Sequence, residues 1–141
     1  MTSSTIILIV SVVLFIAYMT YNYRKMKTLS NVPNSDKVLD ITSENFKQTI
    51  KSGVTLVDLW AAWCMPCKMM IPILNDVAEE LPKSARVGKL NIEKYKDMAS
   101  ELKVRNIPTM ILFKDGKEVN RFVGVKTKDF LIKEINKVLN S

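Results

Sequence analysis

The chain has 141 residues, with 21 lysines and arginines against 14 acids, a formal net charge of +7, no histidine and two cysteines. Without histidine, nucleophilic triads built on that residue are excluded within the chain. Two sulfur ligands are too few for a closed zinc site, so we predict no metal. No basic run interleaved with aromatic residues occurs, and this argues against a nucleic-acid partner.

The first predicted element is an apolar segment without charged side chains, residues 5–23. As a helix, residues 6–23 would be about 27 Å long, close to the hydrocarbon thickness of a bilayer. Arg24, Lys25 and Lys27 follow it directly, as at a membrane interface. A cleaved signal peptide is disfavoured because no basic residue precedes the run and no small-residue cleavage site follows it. A buried core helix is disfavoured because the run is apolar on all faces. We therefore predict an uncleaved transmembrane anchor, with the lipid bilayer as its partner.

Residues 24–37 follow as a basic flank and a polar stretch containing Asn31, Pro33 and Asn34. This composition predicts a flexible linker. The remaining residues, 38–141, number about one hundred, which is enough for one domain with a modest core. We find no internal repeat in them.

Strands and helices alternate along this domain until a hairpin and a last helix end it. The predicted strands are residues 38–41, 54–61, 86–91, 109–114 and 118–123, the last two joined at Asp115-Gly116. The predicted helices lie between a cap at Thr42 or Ser43 and Gly53, from Pro66 to about Leu81 with a kink at Pro72, over residues 96–103, and over residues 127–139. This order predicts an α/β sandwich with a central mixed sheet.

Cys64 and Cys67 stand where the apolar strand 54–61 meets the second of these helices. Pro66 suits the first turn of a helix, where no backbone N–H is needed. The helix N-terminus carries unpaired N–H groups and the positive end of the dipole, and both favour a thiolate at Cys64, the nucleophile of disulfide exchange. Cys67 lies one turn on and can resolve the mixed disulfide. A static disulfide staple is disfavoured, because so short a loop constrains the unfolded chain little.

Asp58 is a carboxylate within an otherwise apolar strand. A buried carboxylate is costly unless it has a partner or a task, and burial raises its pKa. The alternative is a solvent-facing acid on an edge strand, which the neighbouring Leu56, Val57 and Leu59 disfavour.

The run Trp63-Cys64-Met65-Pro66-Cys67-Lys68 resembles the active-site motif of the thioredoxin family, whose C-x-x-C lies in a βαβ setting. The similarity extends over residues 38–139 and includes, in order, Asp58, Pro72, Lys89-Leu90-Asn91, Ile107-Pro108-Thr109, Lys114-Asp115-Gly116 and Gly124. The resemblance implies the thioredoxin fold, a three-layer α/β/α sandwich around a mixed sheet. It also implies thiol–disulfide oxidoreductase activity with no cofactor beyond the Cys64–Cys67 disulfide.

The resemblance also implies roles for single residues. Asp58 would take and return the proton of Cys67, and Lys89 would modulate this acid unless it is merely an exposed, solubilising lysine. Ile107-Pro108 resembles the family's cis-proline peptide, whose backbone pairs with an extended substrate; a trans turn is the alternative. An apolar collar around Cys64 would bind substrates, and its members would be Trp63, Met65, Pro66, Ile107, Pro108, Val123, Gly124 and Val125.

Two residues depart from the family pattern. Met65 replaces the glycine between the cysteines, and Asn106 stands where glycine is usual. Because the Met65-Pro66 dipeptide joins the two cysteines, the residue at position 65 affects the redox potential of the pair.

Together these features predict a membrane-tethered enzyme that reduces or exchanges disulfides in protein substrates. A reductase or a membrane electron donor would reduce it in turn, and we expect the domain to be monomeric. One alternative is an extracytoplasmic oxidase or isomerase of the same fold. Another is a non-catalytic interaction module, which the intact cysteines, Asp58 and Ile107-Pro108 disfavour.

The charges around the predicted anchor indicate its orientation. Basic residues near a spanning helix are retained in the cytoplasm, and here they lie only on the downstream side. We therefore expect a single-pass protein whose domain faces the cytoplasm. The alternative is a periplasmic or extracytoplasmic domain, because anchored thioredoxin-like proteins of bacteria often face the periplasm.

Overall fold

The computed structural model describes residues 2–30 and 32–141. The chain forms two compact units, Met1–Val32 and Pro33–Ser141. The first unit contains helix α1, Ser3–Ser30. In the described residues α1 is the one helix long and apolar enough to cross a bilayer, over Ser3–Lys25. Because a signal sequence would meet the same two criteria, the membrane anchor stays a prediction.

The predicted flexible linker, residues 24–37, differs from the structure at both ends. Helix α1 continues through the basic flank to Ser30, and this segment contains straight-chain helix formers and neither glycine nor proline. Residues from Pro33 onward belong to the second unit, where they form hydrogen bonds with the domain. Asn31, also assigned to the linker, lies outside the described residues.

Five strands of the second unit form one mixed sheet in the order β1-β3-β2-β4-β5. Strands β1, β2 and β3 are parallel, whereas β4 runs antiparallel to β2 and β5 antiparallel to β4. Each predicted strand is confirmed to within one residue at either end, and the bounds are β1 Val38–Ile41, β2 Val54–Trp60, β3 Ala85–Asn91, β4 Thr109–Lys114 and β5 Lys117–Val123.

Helices cover both faces of this sheet, and their bounds are α2 Phe46–Ile50, α3 Met65–Glu80, α4 Lys96–Glu101 and α5 Lys128–Leu139. On one face, side chains of α3 and α5 such as Leu74 and Leu131 pack against β2 and β4. On the other face, Phe46 of α2 and Met98 of α4 pack in a second cluster with odd-numbered residues of β2. The three-layer thioredoxin fold is therefore confirmed. Strand β2 lies in its centre, where its mostly apolar side chains are buried on both faces.

Local hydrogen bonds define where the helices begin. Thr42 Oγ1 accepts a hydrogen bond from the Asn45 N–H, and Asn45 Oδ1 accepts one from the Thr42 N–H, just before α2. Thr127 caps α5 by accepting a hydrogen bond from the Phe130 N–H.

Pro72 lies inside α3 and has no N–H to donate to a preceding turn. The kink expected there stays a prediction.

Candidate functional site

Cys64 and Cys67 form a disulfide in which the two Cα atoms are 5.3 Å apart. Cys64 is the N-cap residue of α3, and its Sγ accepts a hydrogen bond from the Cys67 N–H at 3.2 Å. When the pair is reduced, this N–H and the positive end of the helix dipole stabilise a thiolate on Cys64. The geometry therefore distinguishes the two sulfurs by favouring a thiolate at Cys64, and the assignment of Cys64 as the nucleophile stays a prediction.

The loop between β2 and α3 places the pair at this helix end. The Ala61 carbonyl accepts a hydrogen bond from the Cys64 N–H at 3.2 Å, and Pro66 occupies the first turn of α3. The Ala62 N–H donates to Glu93 Oε2 at 3.0 Å. Sequence reasoning missed Glu93, because an exposed acid outside every motif gives no sign that it contacts this loop.

Asp58 lies in the middle of β2 and is fully buried. It is in register with Lys89 on β3 and with Met110 on β4. Among the described residues, neither carboxylate oxygen of Asp58 has a hydrogen-bond partner. Burial raises the pKa of Asp58 to about 7, and the nearby Lys89 ammonium opposes this rise. Near neutral pH this carboxyl can therefore both accept and return a proton.

Lys89 is also buried, with an exposed fraction of 4%. Its Nζ lies 4.7 Å from the ring centroid of Trp60 and donates a hydrogen bond to Asn34 Oδ1 at 3.3 Å. Burial lowers the pKa of Lys89, and the Asp58 carboxylate opposes this effect. These contacts contradict the alternative of an exposed, solubilising lysine. Sequence reasoning missed Trp60 as a neighbour of Lys89 and assigned Asn34 to a flexible linker.

A small apolar cluster lies around the disulfide. Ala61, Cys64 and Cys67 pack together, with Trp60, Ile92 and Ile107 against them. Trp60 thus contacts both the Lys89 ammonium and the layer that contains the sulfurs. Strand β2 carries both Asp58 and Trp60 and then leads directly into the cysteine loop, so Trp60 links the strand of the buried acid to the disulfide cluster.

The loop before β4 contributes the expected cis peptide bond, Ile107–Pro108. Pro108 is buried, and its carbonyl accepts a hydrogen bond from the Gly124 N–H at 2.8 Å. Gly124 has a φ of +83°, a conformation that favours glycine. The two segments that contribute the collar residues 107–108 and 123–125 are therefore hydrogen-bonded to each other.

The predicted collar combines exposed and buried residues. Trp63 is 68% exposed, and Met65, Pro66, Val123 and Val125 are also exposed. Ile107 and Gly124 are partly buried and Pro108 is buried. The exposed members offer apolar area to a partner. Substrate binding by the collar stays a prediction.

Asn106, the second departure from the family pattern, is exposed, and its carbonyl accepts a hydrogen bond from Thr109 Oγ1 at 2.6 Å.

Comparison with known proteins gives a consistent result. The family model described as Thioredoxin matches residues 37–137. A thioredoxin from Chlamydia pneumoniae is 53% identical over 97 residues, which cover 69% of this chain and 94% of that protein. One from Staphylococcus saprophyticus is 41% identical over 102 residues, 72% of this chain and 98% of that protein. A solved structure of a thioredoxin variant from Halobacterium salinarum has a TM-score of 0.67 and 31% identity, with 76% of this chain and 95% of that chain covered.

The first prediction concerns how stability depends on the ionisation of Asp58. Since the folded pKa of about 7 exceeds the ordinary value of 3.8, the native state binds more protons than the unfolded state between these values. The free energy of unfolding therefore decreases as pH rises from about 4 to about 7. At roughly 1.4 kcal/mol per pKa unit, the penalty at pH 8 is on the order of 4 kcal/mol. Asp58→Asn should thus be more stable than wild type at pH 8.

Guanidinium unfolding of the oxidised full-length protein in detergent, repeated from pH 4 to pH 8, measures this difference. The stability advantage of Asp58→Asn should shrink as pH falls toward 4. The matched control is Asp36→Asn, which alters an exposed carboxyl in the turn before β1 and should show no such trend. An advantage that is equal at every pH, or absent, would refute the assignment of Asp58 as a neutral buried acid.

Proposed function

The chain belongs to the thioredoxin family and is a thiol–disulfide oxidoreductase, and from this premise we propose that it is a membrane-tethered reductase of protein disulfides. The observation that carries the proposal is the Cys64–Cys67 disulfide at the N-terminus of α3, at the end of the strand that carries the buried Asp58. In thioredoxins the cysteine pair is itself the redox group, and no cofactor is needed.

The reaction begins with the reduced pair. The Cys64 thiolate, stabilised by the Cys67 N–H, attacks one sulfur of a substrate disulfide. A new bond forms between Cys64 Sγ and that sulfur, and the substrate S–S bond breaks. The second substrate sulfur leaves as a thiolate and takes a proton from solvent. The product of this step is a mixed disulfide between Cys64 and the substrate.

Resolution then depends on Cys67 and Asp58. The Asp58 carboxylate accepts the Cys67 proton, and the Cys67 thiolate attacks Cys64 Sγ. The Cys64–Cys67 disulfide forms, the mixed disulfide breaks, and the remaining substrate sulfur leaves as a thiolate that takes up a proton. Two electrons have passed from the pair to the substrate. Lys89 modulates this step, because its charge affects how readily Asp58 accepts a proton.

The substrates we propose are extended protein segments that contain a disulfide. They would lie against the exposed apolar collar and pair with the backbone before the cis bond Ile107–Pro108. Each turnover leaves the pair oxidised. The proposal therefore includes a two-electron donor, either a reductase or an electron carrier in the membrane.

Membrane tethering rests on α1, whose segment Ser3–Lys25 has the length and composition of a spanning helix. The basic residues Arg24, Lys25 and Lys27 lie only on its downstream side. By the rule that such residues stay in the cytoplasm, the domain faces the cytoplasm. A reducing compartment is also the one in which a dithiol donor can be kept reduced.

The second prediction separates the roles of the two cysteines. Cys64→Ser should abolish disulfide reduction, because the chain has two cysteines and the remaining one, Cys67, resolves the mixed disulfide and does not attack the substrate. Cys67→Ser should instead accumulate covalent complexes with protein substrates, since attack proceeds and resolution does not. Non-reducing electrophoresis of cell membranes measures the complexes, and the double serine variant is the control. Capture by Cys64→Ser and not by Cys67→Ser would reverse the assignment.

The third prediction concerns proton transfer by Asp58. A positioned base contributes about 10²–10⁴-fold to a proton-transfer step, so Asp58→Asn should slow resolution by roughly 10²-fold at pH 8. Single-turnover decay of the mixed disulfide measures this rate. The wild-type rate should also rise with an inflection near the pKa of about 7, and the variant should lack this inflection. An unchanged rate across the neutral range would remove Asp58 from the mechanism.

The fourth prediction concerns sidedness. After mild reduction of intact cells, a membrane-impermeant maleimide should label Cys64 only when the cells are lysed. In a variant without Cys64 and Cys67, Thr2→Cys should be labelled before lysis, because the N-terminus lies outside. The opposite pattern, with Cys64 labelled in intact cells, would place the domain outside the cytoplasm and favour an oxidase or isomerase.

A further inference from the structure

The stem, residues 33–35, hydrogen-bonds to the helix that carries the cysteines, although it precedes the residues 37–137 that match the family. Asn75 of α3 binds it on both sides of Asn34. Its Nδ2 donates to the Pro33 carbonyl at 2.8 Å, and its Oδ1 accepts from the Ser35 N–H at 2.8 Å. The backbone around Asn34 is thus fixed relative to α3.

From this position the side chain of Asn34 points to the buried lysine. Asn34 Oδ1 accepts a hydrogen bond from Lys89 Nζ at 3.3 Å, and the face of Trp60 lies 4.7 Å from the same nitrogen. Among the described residues, Asn34 provides the one hydrogen-bond acceptor for this ammonium. A buried ammonium is stable only with such partners, and here the partner comes from the stem, which lies outside residues 37–137.

A cavity of about 290 Å³ lies beside these groups, and its lining residues are Asn34, Val38, Leu39, Asp40, Trp60 and Lys89. Asn34 is the stem's contribution to its wall. Shortening this side chain would enlarge the cavity next to the Lys89 ammonium and leave that group to bind water instead.

We propose that Asn34 is a positioning residue for proton transfer at the cysteine pair, because it holds the Lys89 ammonium against Trp60 and beside Asp58. The inference rests on the proposed role of Asp58 in resolution. It assigns a role in the chemistry to the segment that follows α1, which the sequence presents only as a linker.

The physical basis is the interaction between Lys89 and Asp58. A positive charge beside a buried carboxyl favours its ionised form, and this influence decreases with distance and with screening by water. The other ionisable group near the pair is Asp40 of β1, which lines the cavity and is in register with Lys89. In the oxidised protein the sulfurs of Cys64 and Cys67 form the disulfide and carry no ionisable thiol. Strand β4 presents the uncharged Met110 in register with Asp58. A second stem contact lies outside this group, where Ser35 Oγ donates to Glu79 Oε1 at 2.8 Å.

The test is a titration of the Asp58 carboxyl by carbon-13 NMR in the oxidised full-length protein in detergent micelles. In Asn34→Ala the ammonium can turn toward the cavity water, and its influence on Asp58 decreases. An opposite charge at close range lowers a carboxyl pKa by about 1–3 units, so we expect the midpoint to rise by about 0.5–1 unit. Asn75→Ala, which frees the stem on both sides of Asn34, should raise it similarly, and the double variant should add little.

Two controls separate positioning from a general loosening of the fold. Ser35→Ala removes the hydrogen bond to Glu79 and leaves the Asn34–Lys89 contact, so its midpoint should equal that of wild type. In a Lys89→Met background, Asn34→Ala should cause no further change. Circular dichroism and the Tm of each variant show that the domain remains folded.

An unchanged midpoint in Asn34→Ala would overturn the inference, and so would an equal shift in Ser35→Ala or in the Lys89→Met background. This titration does not depend on turnover. If Asp58→Asn resolves mixed disulfides at the wild-type rate, the proposed role of Asp58 fails, whatever the titration shows. If Asp58 proves essential and Asn34→Ala leaves both the midpoint and the pH–rate profile unchanged, only the inference about Asn34 fails.

Discussion

The structure depends on a carboxyl group that is buried in the centre of the sheet without a hydrogen-bond partner in the described residues. Asp58 occupies a position where an apolar side chain would be more stable, because ionising a buried acid carries a desolvation penalty. The surrounding contacts reduce this penalty without removing it: Lys89 lies in register on the next strand, and the Asp58 pKa still rises to about 7. An acid in this state can exchange a proton at neutral pH.

Strand β2 and helix α3 connect this buried acid to the redox-active cysteines. The strand carries Asp58 and Trp60 and then leads into the loop that holds Cys64 at the end of α3. The same helix that carries Cys64 at its N-terminus binds the stem through Asn75, about three turns further on. Helix α3 therefore connects three parts of the site: the proposed nucleophile Cys64, the proposed resolving thiol Cys67 and the stem segment that contacts Lys89.

The sequence predicted the parts of this site that depend on local pattern. Apolar runs bounded by glycine, proline or polar residues located all five strands, and the apolar neighbours of Asp58 indicated its burial. The cis bond at Pro108 came from resemblance, because periodicity does not distinguish cis from trans. The stem was misjudged, since a polar composition predicts solvation and does not reveal that Asn34 and Ser35 have partners in distant elements. The contact between Glu93 and the cysteine loop was likewise invisible, because it joins residues far apart in sequence.

The charges in this site also affect the reduction potential of the Cys64–Cys67 disulfide, and this potential decides whether the pair reduces or oxidises a partner. Whatever stabilises the reduced pair makes the disulfide more oxidising, and a shift of about 30 mV corresponds to about 1.4 kcal/mol. The end of α3 acts in this sense, because it stabilises a Cys64 thiolate. An ionised Asp58 acts in the opposite sense, since its negative charge disfavours a thiolate nearby. Because Asp58 changes its ionisation near pH 7, the balance between the two effects shifts within the physiological range. In the proposed mechanism, a group that affects the ionisation of Asp58, as the Lys89 ammonium does, would therefore influence both the potential of the pair and the rate of resolution.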